Sequence, residues 1–274
     1  MAMAVLQSKT LAAGPIEALF TVDEETTMAG ANGLQPGWLR GTTYINLDGE
    51  WENTFVIGSA GGATSQITAS YAEMAPQDGV PRQLYRLTVG GLRGGHSGID
   101  IHLGRGNAIR LLARFLQDAG PTYGLRVAQM EGGTAHNAIP RDAWALVLVP
   151  EAQRDAFLGA CRAYEDALKQ SFGDTDPNLA IEVIPAEAPP DLSCMDEQAQ
   201  AELIAALVAT PQDVLAMSQA VPDLVETSSV IGVIMRSPGI PAWTRSRSDR
   251  RWRTFTRRTK HCIFPASSGW QLSC

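Results

Sequence analysis

The spacing of apolar and polar positions changes several times along the chain, and each change predicts an element. Ile16-Glu17-Ala18-Leu19-Phe20-Thr21-Val22 is a short run of mostly apolar or β-branched residues. With Gly14-Pro15 before it and acids after it, the run predicts a buried strand. Thr43-Tyr44-Ile45-Asn46-Leu47 alternates in the same sense and delivers Asp48 as Gly49 breaks the pattern. Ahead of both, Met1 to Thr10 has helical spacing without a cap. Asn53 to Gly58 and Thr64 to Ala72 predict two more strands, with Gly61-Gly62 as the turn between them. Ala75 to Pro81 is polar and rich in Pro and Gly, which marks a domain boundary.

Beyond that boundary the pattern is more regular. Gln83 to Val89 alternates as a strand, and Asn107 to Ala119 carries Ile109, Leu111, Leu112, Phe115 and Leu116 at helical spacing until Gly120-Pro121. Strands are predicted at Leu125 to Met130 and Ala143 to Val149, a long amphipathic helix at Glu151 to Phe172, and a strand at Leu179 to Ile184. The order β-α-β-β-α-β is that of the ferredoxin-like split unit, a two-layer sandwich with its own core. A helix at Met195 to Ala209 follows, and then a loop and a strand pair starting near Val225. The expected fold class is α/β, with domains at 1–81 and 82–239 and a separate tail at 240–274.

Composition sharpens that last division. The chain has 274 residues and a net charge of -7, yet eight of its 22 bases and only one of its 29 acids lie from Pro241 to Cys274. That segment also holds Trp243, Trp252 and Trp270, half of the six tryptophans. Arginines interleaved with tryptophan suit a nucleic-acid arm. The same bias also fits a disordered extension or translation in a wrong frame, because it breaks the periodicity of the preceding strand. The second reading is preferred, and no nucleic-acid partner is expected. No apolar stretch approaches the roughly 18 residues of a membrane span, so no membrane partner is expected either. The four cysteines show no paired spacing, which fits a reducing cytoplasm.

Three stretches carry candidate chemistry. Asp23-Glu24-Glu25 and Asp48 sit where two predicted strands finish, a position with a functional prior in open α/β sheets, although a solvated acidic turn explains them equally well. Leu92-Arg93-Gly94-Gly95-His96-Ser97-Gly98 presents His96 between glycines, where an imidazole can donate to a developing oxyanion. His102, a few residues on, reads as structural. Gly132-Gly133-Thr134-Ala135-His136-Asn137-Ala138-Ile139-Pro140 joins two strands and holds Asn137 ahead of Pro140. Asn137 there suits either carbonyl recognition or turn geometry. Gly104-Arg105-Gly106-Asn107 lacks the lysine and serine of a phosphate loop and reads as a helix N-cap.

Taken together, these motifs resemble those of the aminoacyl-histidine dipeptidases, the carnosinase-like cytosolic non-specific dipeptidases among the two-zinc metallopeptidases. The resemblance runs to about Gly239. It rests on Asp23-Glu24-Glu25 with Met28-Ala29-Gly30-Ala31, Ile45-Asn46-Leu47-Asp48, Gly61-Gly62, Gly90 to Gly98, Gly132-Gly133-Thr134 with Asn137-Ala138-Ile139-Pro140, and Val225-Glu226-Thr227-Ser228. It implies a partial zinc-peptidase α/β catalytic domain with an inserted ferredoxin-like α+β lid and dimerisation domain. It also implies a homodimer that hydrolyses dipeptides of the Xaa-His type with two zinc ions. Glu24 would be the general base, Glu25 and Asp48 metal ligands, His96 the group polarising the scissile carbonyl, and Asn137 a substrate contact.

The sequence also departs from the family pattern. The His-x-Asp motif, the metal-bridging Asp, the late metal-binding His and the substrate-carboxylate Arg of the family have no counterpart here. Arg236 falls too early and His261 lies in the wrong context to replace the last two. These departures predict an internal fragment that is inactive by itself. A non-catalytic dimerisation module is the alternative.

Overall fold

The computed structural model describes residues 2–24, 27–47, 59–76, 78–188, 192–237 and 249–262. It divides into two compact units, Met1–Ile57 and Gly58–Cys274.

The first unit holds two short helices, α1 (Ala2–Gln7) and α2 (Ala29–Asn32). The strands expected at Ile16 to Val22 and Thr43 to Leu47 are absent, and neither run forms regular secondary structure. A strand exists only where its backbone N–H and C=O groups find a neighbouring ladder, and the described residues of this unit supply none. The apolar side chains of these runs stay exposed, Val22 at 71% and Tyr44 at 78%. Glu17 Oε2, in the first run, instead accepts from the Arg40 and Gly41 amides, just ahead of the second run, at 2.8 and 2.7 Å.

The second unit is built on a sheet ordered β7-β2-β6-β4-β10-β11-β1-β8, with β9 paired to β10. Its strands are β1 (Ser59–Met74), β2 (Arg82–Gly90), β4 (Arg126–Gly132), β6 (Ala143–Pro150), β7 (Ala180–Ala186), β8 (Cys194–Met195), β9 (Asp213–Met217), β10 (Val225–Ser237) and β11 (Asp249–Cys262). A separate two-stranded sheet pairs β3 (Gly95–His96) with β5 (Ala138–Ile139). The helices are α3 (Ala108–Tyr123), α4 (Arg154–Phe172) and α5 (Glu197–Ala209). The block β7-β2-β6-β4, with α3 and α4 as its connections, has the strand order of the split β-α-β-β-α-β unit.

Packing follows the alternation in the sequence. Tyr85, Leu87 and Val89 on β2 enter the main core, while Leu84 belongs to a smaller cluster with Ala128, Leu148 and Cys194. Helix α3 buries Ile109, Leu112 and Leu116 in the main core, the stripe its spacing predicts. Asn107 caps the helix, its side-chain oxygen accepting from the Arg110 amide at 3.2 Å. The same side chain donates to Gln212 Oε1 and to the Ile231 carbonyl, both at 3.0 Å, which ties the helix start to β10. The helix continues past the expected stop at Gly120-Pro121 and ends at Gly124, whose φ of 62° supplies the left-handed cap. Pro121 sits in the last turn, where its missing N–H leaves out a single intrahelical bond. Cys161 packs in the same core, and burial pushes its thiol up to about 12, leaving it neutral and inert.

Three further expectations change. Gly61-Gly62 lies inside β1 rather than at a turn, opposite Lys260 and Thr259 of β11, so its backbone groups remain in a ladder. The expected strand at Asn53 to Gly58 lies outside the described residues. The strand pair near Val225 is a hairpin whose first arm, β9, starts earlier at Asp213. In the basic tail, residues 249–262 form β11 between β1 and β10 instead of a disordered extension. Trp252, Thr254, Phe255, Thr256 and Thr259 favour the extended backbone, and two facing strand edges give the segment hydrogen-bonding partners on both sides.

Among the described residues, no helix is long and apolar enough to cross a membrane.

Candidate active-site loops

The acidic turn of the first unit is tight. Asp23 and Met28 both have positive φ, 62° and 54°, and the Met28 amide donates to the Asp23 carbonyl at 2.7 Å. Thr27 Oγ1 donates to the Asp23 carboxylate, so Asp23 is occupied in shaping the turn. Glu24 is exposed on it. Glu25 and Asp48, the two proposed metal ligands, lie outside the described residues.

In the second unit, two loops that are distant in sequence pair through their backbones. β3 pairs with β5 so that Gly95 faces Ile139 and His96 faces Ala138. The Ser97 amide donates to the Asn137 carbonyl at 2.8 Å, extending the pairing by one bond. The structure thereby brings together His96 and Asn137, two residues singled out separately in the sequence. His96 is exposed and Asn137 is half-buried.

The imidazole of His96 is oriented by its own turn. Its Nδ1 accepts from the Gly98 amide at 3.1 Å and from the Ile99 amide at 3.3 Å. With Nδ1 used as an acceptor, the ring proton sits on Nε2, which leaves one N–H donor for an incoming oxygen. The backbone around it is clamped as well. Asp100 Oδ2 accepts from the His96 amide at 2.9 Å, and Arg105 pairs with that carboxylate at 3.7 Å while donating to the Gly94 carbonyl. Gly95 has a φ of 143°, and a Cβ there would lie 2.5 Å from Asp100 Oδ2. The glycine before His96 is therefore required for the clamp to close.

Several of these groups were not foreseen. Asp100 and Arg105 hold the histidine loop, and Asp142 Oδ1 receives the Gly91 amide at 3.2 Å. Asp176, only 1% exposed, receives the amides of Arg93 and Gly106. Asp176-Pro177-Asn178 carries only a turn signal in the sequence, which says nothing of a long-range bond. His102 is exposed in a short 3-10 helix, Ile101–Leu103.

The matches to known proteins agree with this architecture. Residues 87–176 match the family model of the peptidase dimerisation domain. The fold is thus mixed α/β and carries such a domain. The chain is 36% identical over 233 residues to the cytosol non-specific dipeptidase of Escherichia coli (strain K12), covering 85% of this chain and 47% of that protein. It superposes on the crystal structure of aminoacylhistidine dipeptidase from Vibrio alginolyticus with a TM-score of 0.74 and 36% identity, covering 94% of this chain and 50% of the other. The chain is a relative of these dipeptidases, as its motifs imply, and it spans about half of their length.

Proposed function

We propose that the chain is the lid-bearing part of a cytoplasmic dipeptidase, in which His96 and Asn137 receive a dipeptide. One observation carries the reading: the β3–β5 pairing, extended by the Ser97–Asn137 backbone bond, brings the Asn137 backbone next to a histidine whose Nε2–H is free to donate. A donor fixed in this way costs no reorganisation when charge develops on a carbonyl oxygen. Asn137, both donor and acceptor, suits a contact to the peptide or carboxylate of the same substrate. The dipeptide class follows the names of the two relatives, and an Xaa-His preference follows the name of the second. Glu24, exposed and carboxylic, is the residue we assign as general base.

Zinc is implied by the resemblance, but the donors at hand do not make two zinc sites. No group of three or more His, Cys, Asp or Glu side chains comes together among the described residues. Glu25 and Asp48 offer one ligand to each ion, whereas a catalytic zinc takes about three. The chain alone is proposed to be inactive. With zinc added, purified protein should leave β-alanyl-histidine unhydrolysed, at the level of the blank. Turnover above the blank that disappears in Glu24→Gln would overturn this.

The dimerisation-domain match also favours a second reading, in which the chain pairs with a copy of itself whatever its catalytic state. Light scattering on the eluting peak should give twice the 29.4 kDa chain mass. A monomer at high protein concentration would exclude the homodimer.

A further inference from the structure

We infer that Asp176 is the positioning residue of His96, acting through both ends of the loop that carries it. The inference rests on the reading of His96 as the substrate-facing donor. Asp176 Oδ1 accepts from the Arg93 amide at 2.8 Å, and Oδ2 accepts from the Gly106 amide at 2.7 Å. These amides stand at the two feet of the loop, with His96 between them. A carboxylate has no donor hydrogen, so each of its oxygens can take one amide. Charge-assisted bonds of this kind are roughly twice as strong as neutral ones.

The mount of Asp176 is rigid. Its amide donates to the Phe172 carbonyl at the end of α4 at 2.7 Å, and its carbonyl receives the Leu179 amide just before β7 at 3.0 Å. Thr175 Oγ1 adds a weaker contact to Oδ2 at 3.4 Å. The loop itself has little regular structure besides β3 and one 3-10 turn, and the Asp100–Arg105 clamp lies wholly inside it. That inner clamp fixes the histidine relative to its loop. Anchors outside the loop are needed to fix it relative to the rest of the unit: pairing with β5 and the Asn137 carbonyl holds its middle, and Asp176, on the α4–β7 connection, holds both feet. Asp142 secures a single neighbouring amide, that of Gly91.

The test uses the isotopically labelled whole chain and needs neither substrate nor metal. Long-range proton–nitrogen correlation reads the tautomer of each of the four histidines, and His96→Gln assigns the His96 signal. The unaltered chain should show the Nε2–H form. Asp176→Asn turns an amide group toward one of the two backbone N–H donors, setting donor against donor. The Arg93 and Gly106 amides should exchange about tenfold faster, and the Ser97 amide, bonded to the Asn137 carbonyl, should lose protection, while the His96 tautomer, set within its own turn, and the resonances of Phe157 and Leu116 stay in place. A folded Asp176→Asn chain with an unchanged Ser97 amide would overturn the inference. If that variant does not fold, exchange in the unaltered chain decides. Arg93 and Gly106 amides protected well above the exposed Gly104 amide support the anchor, and amides as labile as Gly104 refute it. Because these readouts are independent of dipeptide binding, either reading of His96 can fail while the other stands.

Discussion

Replacing Phe157 with alanine is expected to lower the stability of the 58–274 unit by about 3–5 kcal/mol. Phe157 is fully buried, and its ring meets Tyr85, Phe115 and Tyr123 at centroid separations of 6.0, 6.1 and 6.2 Å. These partners come from β2 and from both halves of α3, so the ring joins α4 to the sheet and to the other helix of the same layer. Its removal deletes the transfer energy of a large side chain and leaves a cavity that three other rings cannot easily fill. Against a total of about 5–15 kcal/mol, this is a large fraction. Thermal unfolding should show a midpoint lower by about 10 °C. An unchanged midpoint would mean that Phe157 does not bridge these elements.

The second large effect is expected at Gly133. Its φ is 70°, and a Cβ there would overlap the Gly232 carbonyl of β10. A Cβ on Gly232 would in turn lie 2.7 Å from the Ala135 carbonyl oxygen and 2.8 Å from His136 Cα. The two glycines let one backbone cross another at the root of the loop that carries Asn137. The left-handed backbone alone costs about 1–2 kcal/mol for a residue with a side chain, and overpacking adds about 1–3 kcal/mol. The least costly relief is a shift of the loop, because β10 is held on both sides by neighbouring strands. Gly133→Ala should therefore break the Ser97–Asn137 bond and speed exchange of the Ser97 amide. An unperturbed Ser97 amide would show that the loop tolerates the methyl.

How much of this was legible depended on whether a residue's role is local. The split β-α-β-β-α-β unit could be read from periodicity, since each of its strands and helices buries a face set by its own sequence. The Asn107 cap was equally readable, because a cap acts within one turn. The runs at Ile16 to Val22 and Thr43 to Leu47 misled for the opposite reason: apolar alternation states a capacity for pairing, and pairing needs a second strand. Likewise, the arginines of the tail concealed a segment that becomes β11 when flanked by β1 and β10. At the candidate site, the glycines around His96 and Asn137 marked both loops, because a backbone under close approach constrains the residue type. The groups that hold those loops were hidden. Asp176 bonds to amides 83 and 70 residues away, and nothing near it in the sequence reports that.

We propose that His96 and Asn137 receive one dipeptide together. It is tested most directly by titrating the labelled chain with β-alanyl-histidine and following the His96 imidazole and the Asn137 carboxamide. Both signals should move together along one saturating curve, and in Gly133→Ala the joint response should be lost. Dipeptide-induced changes confined to other residues, or none at millimolar ligand, would contradict it.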